Sequence, residues 1–304
     1  MALIDHAIVR LLPAVPRPIV RRLSAPYIAG PELADAVRCV KEANAHGKHA
    51  TIDVLGEHTT TTEEAERMAR AYEQVLDAIE REGLDSNVSI KLTGFGLRVG
   101  YDLCRDTVLP VVRHAAERGN FVRIEMEDAT TTDDTLALYR ELREAGHDNI
   151  GTVLQASLRR TQDDTRALAH LRPNIRLVKG IYVESPAIQF KDFEAVRASF
   201  VQVLDALLAA GCYVAVATHD DWLVEQTIER VRAHGLEREQ YEFQMLLGVK
   251  PELGDRLVRE GHRLRIYVPF GRQWYEYSLR RLQENPKIAR YVAGDTIGRV
   301  LGRG

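Results

Sequence analysis

Two arginines stand side by side near the C-terminal end of the chain, Arg280 and Arg281 in YEYSLRRLQE, on a stretch whose Trp274, Tyr277 and Leu282 have packed character. Adjacent guanidiniums repel when both are buried, so the ordinary explanation is a solvated basic face. The alternative is a pair of planar forks that grip a carboxylate. Upstream, chemistry-bearing residues close one apolar run after another: Lys91, then Glu125, Glu127 and Asp128, then Gln155, Lys179, Thr218 with His219, Gln244 and Tyr267. A single polar residue ending a strand is as readily structural as functional. Seven runs sharing the habit point to one face on which these groups converge.

The elements that must position them alternate in type. Eight short runs rich in β-branched and apolar residues are Ala50–Leu55, Val88–Leu92, Phe121–Met126, Ile150–Gln155, Ile175–Val178, Tyr213–Ala217, Tyr241–Met245 and Leu264–Tyr267. Nearly continuous hydrophobe is the mark of a parallel strand covered on both faces. Between them lie amphipathic stretches such as Thr62–Ile79, where Ala65, Met68, Tyr72, Val75, Leu76 and Ile79 recur at helical spacing behind acidic first-turn residues. Phe193–Ala209, Leu223–Ala233 and Trp274–Gln283 repeat the design. The pattern predicts an α/β fold, a (β/α)8 TIM barrel over 49–304 that includes the C-terminal helix, preceded by an N-terminal helical arm over 1–48. No Gly/Ser-rich linker marks a second domain. An open doubly wound sheet is the rival, but no GxGxxG follows the first run. In such a barrel the C-terminal strand ends and the loops after them carry the chemistry.

Bulk composition narrows the partners. A net charge of -3 over 304 residues offers no global field for nucleic acid, so an anionic ligand must be held by local basic residues. Cys39, Cys104 and Cys212 are odd in number and widely spaced, which supports neither a disulfide framework nor a Cys-based zinc site and fits a reducing cytoplasm. No apolar run approaches the roughly 20 residues of a membrane span, and Asp5 and Arg10 interrupt the opening stretch where a signal peptide would be apolar. Met1–Leu23 is basic and amphipathic, a composition suited to peripheral contact with the inner face of a membrane, although Pro13, Pro16 and Pro18 break a helix there and favour an arm packed on its own domain.

Taken in order, SIKLT, RIEMED, VLQAS, RLVKGIY, ATHDD, EFQMLLG, RIYVPFG and YEYSLRRLQE resemble the proline dehydrogenase family from about His49 to Glu284. The resemblance implies a flavoenzyme that oxidises L-proline to 1-pyrroline-5-carboxylate by hydride transfer to FAD, the first step of proline catabolism. It implies a quinone as oxidant and coupling to a pyrroline-5-carboxylate dehydrogenase. It places Arg280 and Arg281 on the proline carboxylate, with Lys91, Leu246 and Tyr267 completing the substrate pocket. Met126, Gln155, Arg176, Lys179, Gly180, Ile181, Thr218, His219, Gln244 and Glu284 then lie along FAD. The residue types suit that division. Lys179 and His219 can meet phosphate oxygens, Gly180 permits close backbone approach, and Gln155 offers both a donor and an acceptor. Arg176, near the flavin N5 in the family, suits negative charge developing on the reduced ring, and Glu125 suits an organiser of the neighbouring cations.

Two positions depart from the family. Glu125 stands where an aspartate is usual, one methylene longer, and Asp220 where asparagine follows the histidine more often. Other chemistries remain to be separated. A lysine ending a barrel strand, Lys91 or Lys179, is also the natural nucleophile of a Schiff-base aldolase. His219 with Asp220 and Asp221 offers metal ligands, but no HxH or HExxH accompanies them, so no metal is expected. A barrel that binds amino acids without turning them over uses overlapping groups.

Overall fold

A computed structural model of the chain describes residues 17–56, 59–275, 277 and 278, the side chains of 18, 19 and 23 excepted. Eight parallel strands close into a barrel in chain order: β1 (His49–Val54), β2 (Ser86–Ile90), β3 (Val122–Ile124), β4 (Ile150–Gln155), β5 (Asn174–Val178), β6 (Tyr213–Ala217), β7 (Tyr241–Leu246) and β8 (Leu264–Phe270). The seam is made by β1 on β8, from His49 opposite Arg265 to Val54 opposite Phe270.

The eight expected runs are the eight strands, with shifted ends. The second run ends early: Lys91 lies just past β2, and Leu92 opens a 3-10 turn, Leu92–Phe95. The third is shorter than its apolar run because the ladder ends at Ile124, although Glu125 N still donates to Ile90 O at 2.9 Å. The eighth runs on to Phe270, past the end of its ladder with β7 at Tyr267, so that Pro269 has a paired neighbour on the β1 side alone, an edge position that tolerates proline.

The helices follow the amphipathic stretches. Thr62–Arg81 begins where Thr61 Oγ1 accepts from Glu64 N and turns Ala65, Ala69, Tyr72, Leu76 and Ile79 onto the sheet. Phe193–Ala209 is capped by Asp192, whose Oδ1 accepts from Ala195 N at 2.8 Å. Arg17–Ser24 and Leu33–Ala45 precede β1. The expectation that Pro18 breaks a helix is corrected: it lies in the first turn of Arg17–Ser24, where the missing N–H costs nothing. Most of Trp274–Gln283 and residues 1–16 lie outside the described residues, as do Arg280, Arg281 and Glu284.

The core lies in the annulus between sheet and helices, where Ile52, Val88, Ile90, Ile124, Leu177, Val216 and Phe243 are buried against the helix faces. The lumen is filled differently. Positions two apart in the strands send polar side chains across it: Arg123 and Glu125 from β3 and the residue after it, Arg176 from β5, Glu242 and Gln244 from β7, and Arg265 and Tyr267 from β8. At the lower level Arg265 Nε reaches both Glu242 oxygens at 3.0 and 3.1 Å. Burial alone would raise the Glu242 carboxyl, but Arg265, with help from Gln244 and Arg123, holds it down to about 2. Burial and the repulsion of Arg176 lower the Arg123 guanidinium to about 9, still charged at neutral pH. Its Nη1 donates to Thr152 O and Asn174 O at 2.9 and 2.7 Å.

Candidate active site

At the C-terminal mouth of the barrel a cavity of about 760 Å³ opens above this ionic layer. Its floor is the upper polar level of the lumen. Arg176, 5% exposed, is fixed on three sides: Nη1 donates to Glu125 Oε1 and to Ser89 Oγ at 3.3 Å, and Nε donates to Gln244 Oε1. Gln244 in turn donates its Nε2 to Glu242, so the lower ion pair orients the upper arginine. Gln244 lines the cavity with its amide engaged by Arg176 and Glu242.

Glu125 and Asp53 show how position decides ionisation. Burial would raise the Glu125 carboxyl, yet Arg176, Lys91 and the Ser89 hydroxyl together hold it below the ordinary carboxylate range. Asp53 on β1 has no exposed surface, and burial outweighs the Lys91 ammonium beside it, leaving its carboxyl above the ordinary range. Lys91 Nζ donates to both Asp53 oxygens, at 2.8 and 2.9 Å, and to Tyr267 Oη at 3.4 Å. The Arg176 guanidinium lies over the Tyr267 ring, 5.5 Å from its centre. Burial, and the negative charges of Asp53 and Glu125, keep the Tyr267 phenol protonated far past neutral pH.

A second polar cluster lines the same cavity. Lys179, just past β5, reaches Asp220 Oδ2 at 3.2 Å, and Arg197 reaches both Asp220 oxygens at 3.0 and 2.7 Å. Phe193 lies under both cations, and Trp222 lies under Arg197. Burial works to raise the Asp220 carboxyl, and the two cations lower it to about 2. His219 Nε2 accepts from Leu246 N at 3.0 Å, which fixes the ring and places its proton on Nδ1. Gly180 takes φ +106, and a Cβ there would collide with Ser157 Oγ, so the turn of this wall requires glycine. Gln155 Nε2 donates to Glu127 O at 2.7 Å, and Met126, Ile181, Thr218 and Leu246 complete lining that the sequence had pointed to.

The described residues thus bring together Lys91, Glu125, Met126, Gln155, Arg176, Lys179, Gly180, Ile181, Thr218, His219, Gln244, Leu246 and Tyr267. Attention to strand ends missed Asp53, Ser89, Glu242 and Arg197. The first and third carried a signal: a charged residue inside an apolar run, in ATIDVL and YEF, is a lumen residue of a barrel strand. Arg197 gave none, because on an amphipathic helix it reads as a solvated position.

A closed parallel barrel with fixed charges and a deep cavity at its C-terminal mouth is a (β/α)8-barrel enzyme. The model of the family described as proline dehydrogenase matches residues 36–293. The chain belongs to the proline dehydrogenase family. It is 38% identical over 266 residues to proline dehydrogenase 1 of Bacillus subtilis (strain 168), covering 88% of each chain. It is 35% identical over 274 residues to the proline dehydrogenase of Deinococcus radiodurans, covering 89% of this chain and 88% of that one. Among solved structures, proline utilization A from Bdellovibrio bacteriovorus, inactivated by N-propargylglycine, superposes with a TM-score of 0.81 at 24% identity. That match takes in 87% of this chain and 32% of the other, so this chain spans about a third of that protein's length, and the likeness is one of fold.

Proposed function

We propose that the chain oxidises L-proline to 1-pyrroline-5-carboxylate with FAD as its cofactor. The observation that carries the reading is one cavity holding two separately built polar clusters, Lys91–Glu125–Arg176–Tyr267 and Lys179–Arg197–His219. Its volume, about 760 Å³, lies in the range of cofactor sites, roughly 300–1,000 Å³. The wall fits the group: apolar Met126, Val153, Val178 and Met245 suit a flat ring system, the second cluster suits phosphate oxygens, and Gly180 leaves backbone within reach.

When bound, FAD supplies a two-electron acceptor for the hydride that leaves proline's ring C5. Everything else falls to the chain. Lys91 and Tyr267 hold the substrate's polar end, Leu246 packs on the ring, and Arg280 and Arg281, outside the described residues, grip the carboxylate on the strength of the sequence resemblance. Arg176 presents a fixed positive charge that needs no rearrangement when negative charge develops beside it. Glu125 balances Arg176 and Lys91, so the substrate nitrogen meets no uncompensated cation as it gives up its proton. Positioning accounts for most of the rate. A quinone is the proposed oxidant of the reduced cofactor, and an enzyme that oxidises pyrroline-5-carboxylate the consumer of the product. The relatives called "Bifunctional protein PutA" support such a coupling by their name.

Anaerobic titration tests the reading. L-proline should bleach the visible absorbance of the purified yellow protein and leucine should not; a colourless protein that cannot be reconstituted with FAD would overturn it.

A further inference from the structure

Asp53 is the only charged residue of β1 beyond its first position, His49, and its strand neighbours Ile52 and Val54 are apolar. It stands opposite Ser89 in the barrel register, and Lys91, two residues further along the adjacent chain, folds its ammonium back onto it. The carboxylate is completely buried, whereas Lys91 keeps 13% of its side chain exposed and lines the cavity. Tyr72, from the helix Thr62–Arg81, brings its hydroxyl to 3.3 Å from Asp53 Oδ1. That hydroxyl has one proton, and the nearer acceptor, Ser89 O, takes it, so the donors to Asp53 are the Lys91 ammonium, on both oxygens, and the Tyr267 hydroxyl.

We propose that Asp53 is a positioning residue: it keeps Lys91 an ammonium ion aimed into the cavity for the substrate's carboxylate, and keeps it from serving as an amine nucleophile. The proposal rests on the reading of Lys91 as substrate-facing. Its physical basis is the geometry of two short bonds. A lysine withdrawn from water at the end of a barrel strand tends toward the neutral amine, the form that condenses with carbonyl compounds. A bidentate carboxylate reverses that tendency and fixes the direction of the Nζ at the same time. Among the described residues, Asp53 alone meets the ammonium with both carboxylate oxygens. Glu125, just past β3, adds a negative charge but gives its hydrogen bonds to Arg176 and Ser89, Tyr267 from β8 is a neutral phenol, and Arg176 from β5 opposes the ammonium. Asparagine at position 53 would turn one acceptor oxygen into a donor facing a cation.

The test labels the purified protein with glyoxylate and cyanoborohydride at about pH 8. A neutral amine adds the aldehyde, water leaves, and the imine takes hydride from the reductant; peptide mass spectrometry counts the product at each lysine. Asp53→Asn should raise labelling at Lys91 about tenfold or more over wild type, since a neighbouring opposite charge is worth one or more powers of ten in protonation. Exposed Lys41 and Lys250 should label alike in both proteins. Asp53→Glu should bring Lys91 back toward the wild-type level, which a purely structural role for the position would not require. In the same Asn variant KM for proline should rise about tenfold with flavin content kept. Unchanged labelling of Lys91 overturns the role of Asp53. Raised labelling with unchanged KM instead overturns the substrate-facing reading of Lys91. If the Asn variant does not fold, the wild-type protein decides: a carbon-13 lysine spectrum, assigned with Lys91→Met, should hold Lys91 in its charged form from about pH 7 to about pH 9. Titration inside that window overturns the proposal.

Discussion

Glu125 answers to two cations at once, Arg176 and Lys91, and its longer side chain still reaches the Arg176 Nη1 and the Ser89 hydroxyl. Glu125→Gln keeps the volume and removes the charge that balances them. It should lower kcat by about one to two powers of ten, and flavin content much less, while Glu125→Asp should retain much of the activity. Steady-state kinetics with flavin absorbance on the same samples separates the two effects; wild-type kinetics in the Gln variant would make the carboxylate structural only. The arginine pair invites the same treatment. Arg280→Met or Arg281→Met should raise KM for proline by about one to two powers of ten, because a charge-assisted hydrogen bond is worth roughly 1.5–3 kcal/mol. Lysine should rescue only partly, as a point charge lacks the fork. Unchanged KM with full flavin in both Met variants would return the pair to a solvated helix face.

At the scale of the element, the turn from β6 into the helix Asp221–Ala233 shows one residue with two duties. Asp220 caps the helix, accepting from Trp222 N at 3.2 Å, and neutralises Lys179 and Arg197 on the cavity wall. Its carboxyl is depressed from 3.8 to about 2, so these contacts are complete above pH 3.8 and are lost as pH falls through about 2. Two variants divide the duties. Asp220→Asn keeps the cap and loses the ion pairs, so it should lower the melting temperature at neutral pH by less than Asp220→Ala, which loses the cap as well at a further cost of about 1 kcal/mol. Both take the shared anion from Lys179 and Arg197, leaving Arg197 its exposed partner Glu194, so both should make FAD affinity fall more steeply with added salt than it does in wild type. Calorimetry and flavin titration at two ionic strengths read the outcome; an Asn variant as destabilised as the Ala variant would contradict the division.

For the whole molecule the lower lumen layer, Glu242 with Arg265 and Arg123, is the part most exposed to loss of a single charge. The Glu242 carboxyl is lowered from 4.5 to about 2, so its contribution to stability is present above 4.5 and disappears as pH falls toward about 2. Glu242→Gln would leave Arg265 without an anion, at a cost of roughly 3–5 kcal/mol. It would also loosen the chain from Gln244 to Arg176. The variant should melt several degrees below wild type at neutral pH and lose less of its stability between about pH 4.5 and about pH 2 than wild type does. Equal melting temperatures at neutral pH would show that the layer fills space without acting through its charge.

Much of the fold and of the site is legible in the sequence. Apolar runs such as Ile150–Gln155 and Tyr213–Ala217 had to be strands covered on both faces, and helical spacing in Thr62–Ile79 had to turn one face to a sheet, because burying apolar surface is the term that dominates folding. Order and repetition of these elements determined the barrel, and the barrel determined that Lys91, Gln155, Lys179 and His219 would meet at one mouth. Only the tertiary structure decided which charge answers which. Asp53 and Lys91 are 38 residues apart, Glu125 and Arg176 are 51 apart, and Arg176 and Gln244 are 68 apart. Hydrophobic periodicity is a local signal and says which face of a strand is inside. The pairing of charges depends on strand register, which sets Lys91 beside Asp53 on the neighbouring strand, and on closure, which sets Glu125, Arg176 and Gln244 from non-adjacent strands a few ångströms apart across a lumen where water no longer screens them.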